Sequence, residues 1–233
     1  MTVVMSVICA DGVVVGADSQ VTDSDRGMSY PGQKLHDMGD HAAWGGSGAR
    51  SVLGELEKLF RAEAEVICGA DDIGRALQER TLPVLRHHYD NFIAEVPGET
   101  MKGGPSAYVL AAGWGPDGPW IVEITPNGLA SRYDDIGFHA IGSGAPMAQQ
   151  AGALLTHFDM RKRSVKHGVV GLVRVLDALR VTSPSVGLEI DVCAITADGA
   201  DHLTEGEIAK ARKDVDRWRA MEEKALDRLF PGK

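Results

Sequence analysis

The residue at the start of the chain carries the first chemistry that the sequence suggests. Thr2 follows Met1, and threonine is small enough that the initiator methionine before it is usually removed. Removal of Met1 would place a hydroxyl and a free α-amine on the same residue. An α-amine titrates at about 7.7–8.0, so near neutral pH it can act as the general base for a hydroxyl nucleophile. Because threonine after methionine is common, this hypothesis needs support from other residues.

Two charged residues supply that support. A strand from Thr2, a tight turn at Asp11-Gly12 and a returning strand would bring Asp18 back toward the start of the chain. Lys34 follows 34 − 18 = 16 residues later. A lysine cation beside the threonine would favour its alkoxide and lower the pKa of the amine, and Asp18 would fix and balance that cation. The alternative is a surface lysine and a turn-capping aspartate, and spacing alone leaves it open.

Hairpin signals dominate the elements that would position these residues. The segments predicted as strands alternate or run apolar, and the turns between them contain Asp-Gly or Asn-Gly. These dipeptides supply the positive φ angles that tight hairpins require, which predicts mostly antiparallel sheets. The predicted strands are Thr2–Cys9, Val13–Ala17, Ser106–Trp114, Trp120–Thr125, Leu129–Tyr133 and Ile190–Thr196.

Helical periodicity fills most of the remaining chain. Helices are predicted around Val52–Phe60, from Asp71-Asp72 onward, and over Ala145–Phe158, Ser164–Leu179 and Glu205–Phe230. This order predicts an α+β layered sandwich, with helices outside two packed sheets. Because no stretch of the sequence has the composition of a linker, we predict one domain over residues 2–200, with residues 201–233 as its C-terminal helical extension. The last helix could be an appendage or a docking element, and its charges favour a solvated face.

Composition excludes several classes of function. The formal net charge is −9, which disfavours binding to nucleic acid, and no apolar run approaches the ~18 residues of a membrane span. The three cysteines are widely spaced and the eight histidines show no metal-binding spacing, so we expect neither a disulfide framework nor a metal or other cofactor. The N-terminus does not have the pattern of a signal peptide, which predicts a cytoplasmic protein.

At this point the chain resembles a known family, the proteasome β-subunits and their bacterial relatives such as HslV, within the N-terminal nucleophile (Ntn) hydrolases. The resemblance suggests a bacterial homologue of the proteasome and covers roughly residues 2–200. It is carried by Thr2-Val3-Val4, Asp11–Ser19, Lys34, Gly45–Ala49, Ala140–Pro146 and Ile190–Thr196.

The resemblance implies a four-layer αββα sandwich and a threonine peptidase with Thr2 as the nucleophile. A backbone N–H in the glycine-rich loop would stabilise the oxyanion, from Gly46 or, as an alternative, Gly45. Ser143 would relay protons near the amine, although a helix N-cap is its alternative role.

The resemblance also implies how a substrate would be held. Thr22 and Gly46 would pair with the backbone of an extended peptide. The wall of the first specificity pocket would include Val21, Gly32 and Trp44.

One departure from the family pattern lies before the last predicted strand. The family has Asp-x-x-Ser-Gly, whereas this chain reads Thr182-Ser183-Pro184-Ser185-Val186-Gly187. Ser185 matches the family serine, but a threonine hydroxyl at position 182 cannot replace the charge of a carboxylate. A second departure is the long tail after Asp201, which lies outside the shared region. Thr2 also follows Met1 directly, so no propeptide is expected.

The sequence therefore predicts a threonine-type endopeptidase that hydrolyses peptide bonds inside a closed homo-oligomeric ring. Its partners would be unfolded proteins or peptides. Because the chain has no nucleotide-binding motif of its own, any use of ATP would belong to a partner such as an ATP-dependent unfoldase. Two alternatives stay open: a non-catalytic structural subunit of the same fold, and an Ntn amidase that acts on small amides.

Overall fold

The computed structural model describes residues 2–23, 28–95, 97, 103–182, 187 and 189–230. The strands are β1 (Val4–Cys9), β2 (Gly12–Asp18), β3 (Gln20–Asp23), β4 (Met28–Pro31), β5 (Leu35–Asp37), β6 (Ala42–Gly48), β7 (Ala107–Gly115), β8 (Gly118–Ile124), β9 (Ala130–Arg132), β10 (Phe138–Ile141), β11 (Ile190–Thr196) and β12 (Gly199–His202). The helices are α1 (Arg50–Cys68), α2 (Ile73–Asp90), α3 (Ala145–Leu155), α4 (Val165–Thr182) and α5 (Glu205–Leu229).

The strands form two five-stranded sheets and a separate hairpin. The first sheet has the order β10-β1-β2-β11-β12, the second has the order β5-β6-β7-β8-β9, and β3 pairs with β4. Every one of these pairs is antiparallel, as the hairpin signals predict.

Three apolar clusters separate the layers. One lies between the first sheet and helices α3, α4 and α5, a second lies between the second sheet and helices α1 and α2, and the third lies between the two sheets. The chain is therefore an αββα sandwich, and the predicted fold class is confirmed.

The turn glycines act in two different ways. Gly118 and Gly128 have φ values of +104° and +80°, the left-handed conformation that the sequence predicts for these hairpins. Gly12 has no such conformation; a Cβ there would lie 2.1 Å from the carbonyl oxygen of Ile195. Gly12 is therefore needed for the close approach of β2 to β11, and the expectation of a positive φ at this turn is wrong.

Helix α5 packs against α4. Its side chains Ile208, Ala211 and Val215 are buried in the same cluster as α4. Arg174 on α4 donates to both carboxylate oxygens of Glu222, at 2.8 and 2.7 Å. Helix α5 is thus docked on the domain as far as Glu222. The expected solvated face is wrong for Arg212, which pairs with Asp177 of α4. Among the described residues, no helix is both long and apolar enough to cross a membrane.

Candidate active site

Asp18 lies at the centre of the candidate site. Asp18 is the last residue of β2 and is 0% exposed. Its Oδ1 accepts from the backbone N–H of Val3 at 2.9 Å and from Lys34 Nζ at 2.8 Å. Its Oδ2 accepts from the backbone N–H groups of Gln20 at 3.2 Å and Gly187 at 3.3 Å. A buried carboxylate is tolerated only with such partners, so Asp18 fixes four separate segments around itself.

Lys34 stands where the hairpin argument predicts it, against Asp18. Its side chain is 6% exposed, which excludes the alternative of a surface lysine. Burial lowers the pKa of Lys34 below the ordinary 10.5, although the hydrogen bond and the charge of Asp18 act in the opposite direction. A buried lysine of this kind supplies a positive potential close to the start of β1.

The loop 142–144 wraps around the main chain of Thr2. The backbone N of Thr2 donates to Ser143 Oγ at 3.0 Å, and the N–H of Gly144 donates to the carbonyl oxygen of Thr2, also at 3.0 Å. Gly142 has a φ of +95°, and a Cβ there would lie 2.3 Å from the same carbonyl oxygen. The N-cap of α3 is Gly144 and has no side-chain cap, so the alternative role of Ser143 as a helix cap is wrong.

The nitrogen of Thr2 changes its chemical character with processing. While Met1 is attached, this atom is a peptide nitrogen with one N–H to donate. Once Met1 is removed it becomes an α-amine, which can also accept a proton. The hydroxyl of Ser143 is already within hydrogen-bonding distance of that nitrogen, so it could exchange a proton with the amine.

The glycine-rich segment Gly45–Gly48 forms the end of β6, which corrects the loop that the resemblance implies at this position. A Cβ at Gly45 would lie 2.7 Å from Val4 of the facing sheet and 2.9 Å from the carbonyl oxygen of Lys34. A Cβ at Gly46 would lie 2.4 Å from Leu53 of α1. A side chain at Gly45 would collide with the main chain of Lys34, and one at Gly46 would require the Leu53 side chain to move, so glycine lets both neighbours approach the strand closely.

The same strand brings a further hydroxyl to the site. Ser47 shares a strand face with Ala43 and Gly45, the face that packs toward the first sheet. A Cβ at Gly142 would lie 3.3 Å from Ser47 Oγ. The sequence analysis gave Ser47 no role, and strand alternation would have been the signal.

The predicted pocket residues fall into two groups. Gly32 lies against Val21, since a Cβ at Gly32 would lie 2.6 Å from Val21 Cγ2, and Thr22 lies in β3 opposite Ser29. Trp44 is only 1% exposed and packs between His36 and Phe60, with ring centroids 5.0 and 4.9 Å away. In this position the ring of Trp44 offers almost no surface to a ligand.

Two positions singled out in the sequence are not described. Ser185 lies outside the described residues, and the side chain of Thr182 does too. The sequence analysis missed the role of Gly187, whose N–H reaches Asp18 and which follows the segment that departs from the family pattern.

Comparison with known proteins adds an independent observation. The family model described as proteasome subunit matches residues 2–195. A proteasome subunit beta 1 from Streptomyces avermitilis is 27% identical over 92% of this chain and 76% of its own length. A proteasome subunit beta from Methanosarcina barkeri is 22% identical over 92% of this chain and 95% of its own length. Mouse proteasome subunit beta type-10 is 26% identical over 85% of this chain and 67% of its own length.

Proposed function

The chain belongs to the proteasome subunit family, and from this premise we propose that it is a threonine peptidase whose nucleophile is Thr2. The observation that carries the proposal is the position of the Thr2 nitrogen, 3.0 Å from Ser143 Oγ, beside the buried Asp18–Lys34 pair. A buried ion pair contributes little net stability for the desolvation it requires. Its position at the first residues of β1 therefore favours a role in tuning chemistry.

In the first half of the proposed reaction, the Thr2 hydroxyl attacks the carbonyl carbon of a peptide bond. The proton of the hydroxyl passes to the α-amine of the same residue, directly or through Ser143 or a water molecule. Lys34 favours the developing alkoxide by its charge, and Asp18 holds the lysine in place. The oxyanion accepts a hydrogen bond from the backbone N–H of Gly46.

In the second half, the tetrahedral intermediate collapses, the C–N bond breaks, and the amine of Thr2 returns the proton to the departing amino group. The product is an ester between Thr2 Oγ and the acyl part of the substrate. Water then attacks this ester with the amine as general base, and the acid is released with the hydroxyl restored.

The proposed substrate is an extended segment of an unfolded protein or peptide. Pairing of β6 with β5 ends at Gly45 and Leu35, so among the described strands none continues that pairing beside Gly46. A peptide that adds to this edge would place its carbonyl near Thr2. Val21, Thr22 and Gly32, on or beside the β3–β4 hairpin, would form the other side of the groove.

Assembly and location complete the proposal. A homo-oligomeric ring, an ATP-dependent unfoldase as partner and a cytoplasmic location are inferred from the family and from the sequence. Enclosure in a ring would restrict substrates to unfolded chains, and the unfoldase would supply them.

The test is the intact mass of the purified protein with and without a peptide epoxyketone, which needs both a hydroxyl and a free amine on one threonine to form its ring. We expect loss of Met1 and one adduct per chain. The matched control is Thr2→Ala, which we expect to assemble like the wild type and to form no adduct. Retention of Met1 without any adduct would instead favour the non-catalytic subunit. An adduct without cleavage of peptides, but with turnover of small amides, would favour the amidase.

A further inference from the structure

His202 bridges the two sheets at one corner of the sandwich. Its Nδ1 lies 3.1 Å from Asp191 Oδ1, and its Nε2 lies 2.9 Å from Asp37 Oδ1. Asp191 belongs to the first sheet, on β11, whereas Asp37 ends β5 of the second sheet. His202 itself ends β12, outside the matched family region of residues 2–195.

The strand register explains how one ring reaches both sheets. His202 lies directly opposite Cys193, and Asp191 lies two residues before Cys193 on the same face of β11. Cys193 packs in the cluster between the sheets, so this face points inward. The backbone N–H of Ala200 also donates to the carbonyl oxygen of Asp40 at 2.8 Å, which joins β12 to the connection between β5 and β6.

The two contacts of the ring favour one protonation state. An ionised carboxylate only accepts hydrogen bonds, and a neutral imidazole has a single N–H to donate. Only the imidazolium form can donate to Asp191 and Asp37 at the same time. The geometry of this three-residue bridge is therefore the geometry of a charged histidine between two carboxylates.

The surrounding charges support that state. The hydrogen bond to Asp191 raises the pKa of His202 above the ordinary 6.5; burial opposes this, and the charge of Asp191 and the contacts with Asp37 reinforce it. Asp201 adds negative charge nearby, and burial first, then these carboxylates, raise the pKa of Cys193 to about 12, so its thiol stays neutral. His36 lies near the same two carboxylates, Asp37 and Asp191, and has Glu57 and Arg61 as further charged neighbours.

The strands that carry the two partners of His202 also lead to the candidate active site. Asp37 lies three residues after Lys34, at the other end of β5. Asp191 pairs with Ala17, and the preceding residue, Ile190, pairs with Asp18. The bridge thus connects the strand that follows the lysine with the strand beside the aspartate.

We propose that His202 is a pH-responsive positioning residue. As an imidazolium it holds β5 against β11, and it thereby keeps the Lys34 side chain within hydrogen-bonding distance of Asp18. Deprotonation removes one donor and leaves a carboxylate facing a lone pair, and the corner loosens. Because the folded pKa is raised, the stabilisation is fully present below about 6.5 and is lost as the pH rises through the folded value. The effect on catalysis rests on the proposed function, whereas the effect on the corner does not.

Hydrogen exchange tests the corner without any reference to activity. In the full chain, at about pH 6, we expect amides of residues 35–42 to exchange about threefold to fivefold faster in His202→Gln than in the wild type, the size expected for a partly exposed charge pair. At about pH 9, after correction for intrinsic exchange, the ratio should approach one. The matched control is His157→Gln, an exposed histidine on another face, with a ratio near one at both pH values.

Asp37→Asn is the second variant, and it should fold because the side chain of Asp37 is 70% exposed. It should loosen the same amides, and the double variant should exchange no faster than His202→Gln alone. A pH-independent ratio for His202→Gln, or no difference at about pH 6, would overturn the proposal.

The link to Lys34 is tested by the rate of epoxyketone addition to Thr2. We expect His202→Gln to slow it about threefold to fivefold at about pH 6 and to match the wild type at about pH 9. Equal rates at both pH values, with the exchange result intact, would remove the positioning role. If the wild type forms no adduct, the proposed function fails. The hydrogen-exchange experiment still tests whether His202 holds the two sheets together at this corner.

Discussion

Gly142 and Thr2 approach each other so closely that a Cβ at Gly142 would lie 2.3 Å from the carbonyl oxygen of Thr2. The main chain of Gly142 therefore lies directly against the main chain of Thr2, the proposed nucleophile, with no side chain between the two residues. Gly142 also has a φ of +95°, which side-chain-bearing residues rarely adopt. The next residue, Ser143, is placed against the Thr2 nitrogen as a consequence.

The first prediction concerns this contact. Gly142→Ala should lower the rate of epoxyketone addition to Thr2 by about tenfold or more, because the displaced loop misplaces the nitrogen and Ser143. The control is Gly118→Ala, which has the same kind of backbone at φ +104° but nothing within 4 Å of the added Cβ. Both variants should lose about 1–2 kcal/mol of stability from the positive φ. Equal addition rates for the two variants would show that the contact with Thr2 is irrelevant.

The second prediction separates the structural and chemical roles of Lys34. Lys34→Ala leaves Asp18 charged and unpaired in the interior, so we expect a loss of about 3–5 kcal/mol of stability. The double variant Asp18→Asn, Lys34→Met removes both charges and should recover much of that loss. Epoxyketone addition should stay at least about 100-fold below wild type in both. If the double variant recovers the addition rate together with the stability, the Asp18–Lys34 pair has only a structural role. Lys58→Ala, at an exposed site on α1, controls for the loss of a positive charge.

The third prediction is a dependence of stability on acid. Glu123 accepts from His139 Nε2 and Tyr133 Oη, each at 3.0 Å, in the layer between the sheets. Burial alone would raise the pKa of Glu123, but the hydrogen bond and charge of His139 and the hydrogen bond of Tyr133 outweigh it and hold the pKa below 4.5. The contribution to stability is therefore present above about pH 4.5 and is lost as the pH falls through the folded value.

Glu123→Gln should accordingly cost about 1–3 kcal/mol near pH 7, and its difference from wild type should shrink on acidification. Denaturant unfolding at a series of pH values measures this difference. Glu65→Gln, at an exposed position on α1, should show no such change. A constant difference at every pH would exclude the titration of Glu123 as its cause.

The fourth prediction concerns helix α5. Val215 is 1% exposed within the cluster that includes α4, so Val215→Asp should cost about 3 kcal/mol or more. Leu226, on the same helix, is 56% exposed, and Leu226→Asp should change stability by no more than about 0.5 kcal/mol. Thermal unfolding of the two variants compares a docked and an undocked part of one helix. Similar melting temperatures would mean that α5 is dispensable for the fold.

Local signals account for the parts of the fold that the sequence predicts correctly. Turn glycines such as Gly118 and Gly128 have a conformational reason that is visible in the sequence itself. The strand β6 has no such signal, because Gly45 and Gly46 lack the side chains that favour strands. They are glycine because Val4 and Leu53 come close to them from neighbouring layers, and only the folded structure shows those neighbours.

The contacts of the candidate site likewise fall into local ones, which the sequence predicts, and distant ones, which it does not. The hairpin from Thr2 to Asp18 is local, and its length predicts that these residues meet. Gly187 reaches Asp18 from a distant loop, and a single sequence does not specify which distant loops converge. Trp44 shows a further limit, since a strand residue can pack toward either layer and only the fold determines which one.

The spread of the site along the chain has a consequence for the timing of activity. The hydrogen bond from Thr2 to Ser143 joins positions 141 residues apart, and that from Gly187 to Asp18 joins positions 169 residues apart. Contacts of such high sequence separation carry a large loop-closure entropy and are slow to form. If Thr2 is the nucleophile, as proposed above, a half-folded chain has the threonine but lacks the groups that would activate it. A newly made chain would then be unable to cleave its neighbours until its own folding is complete.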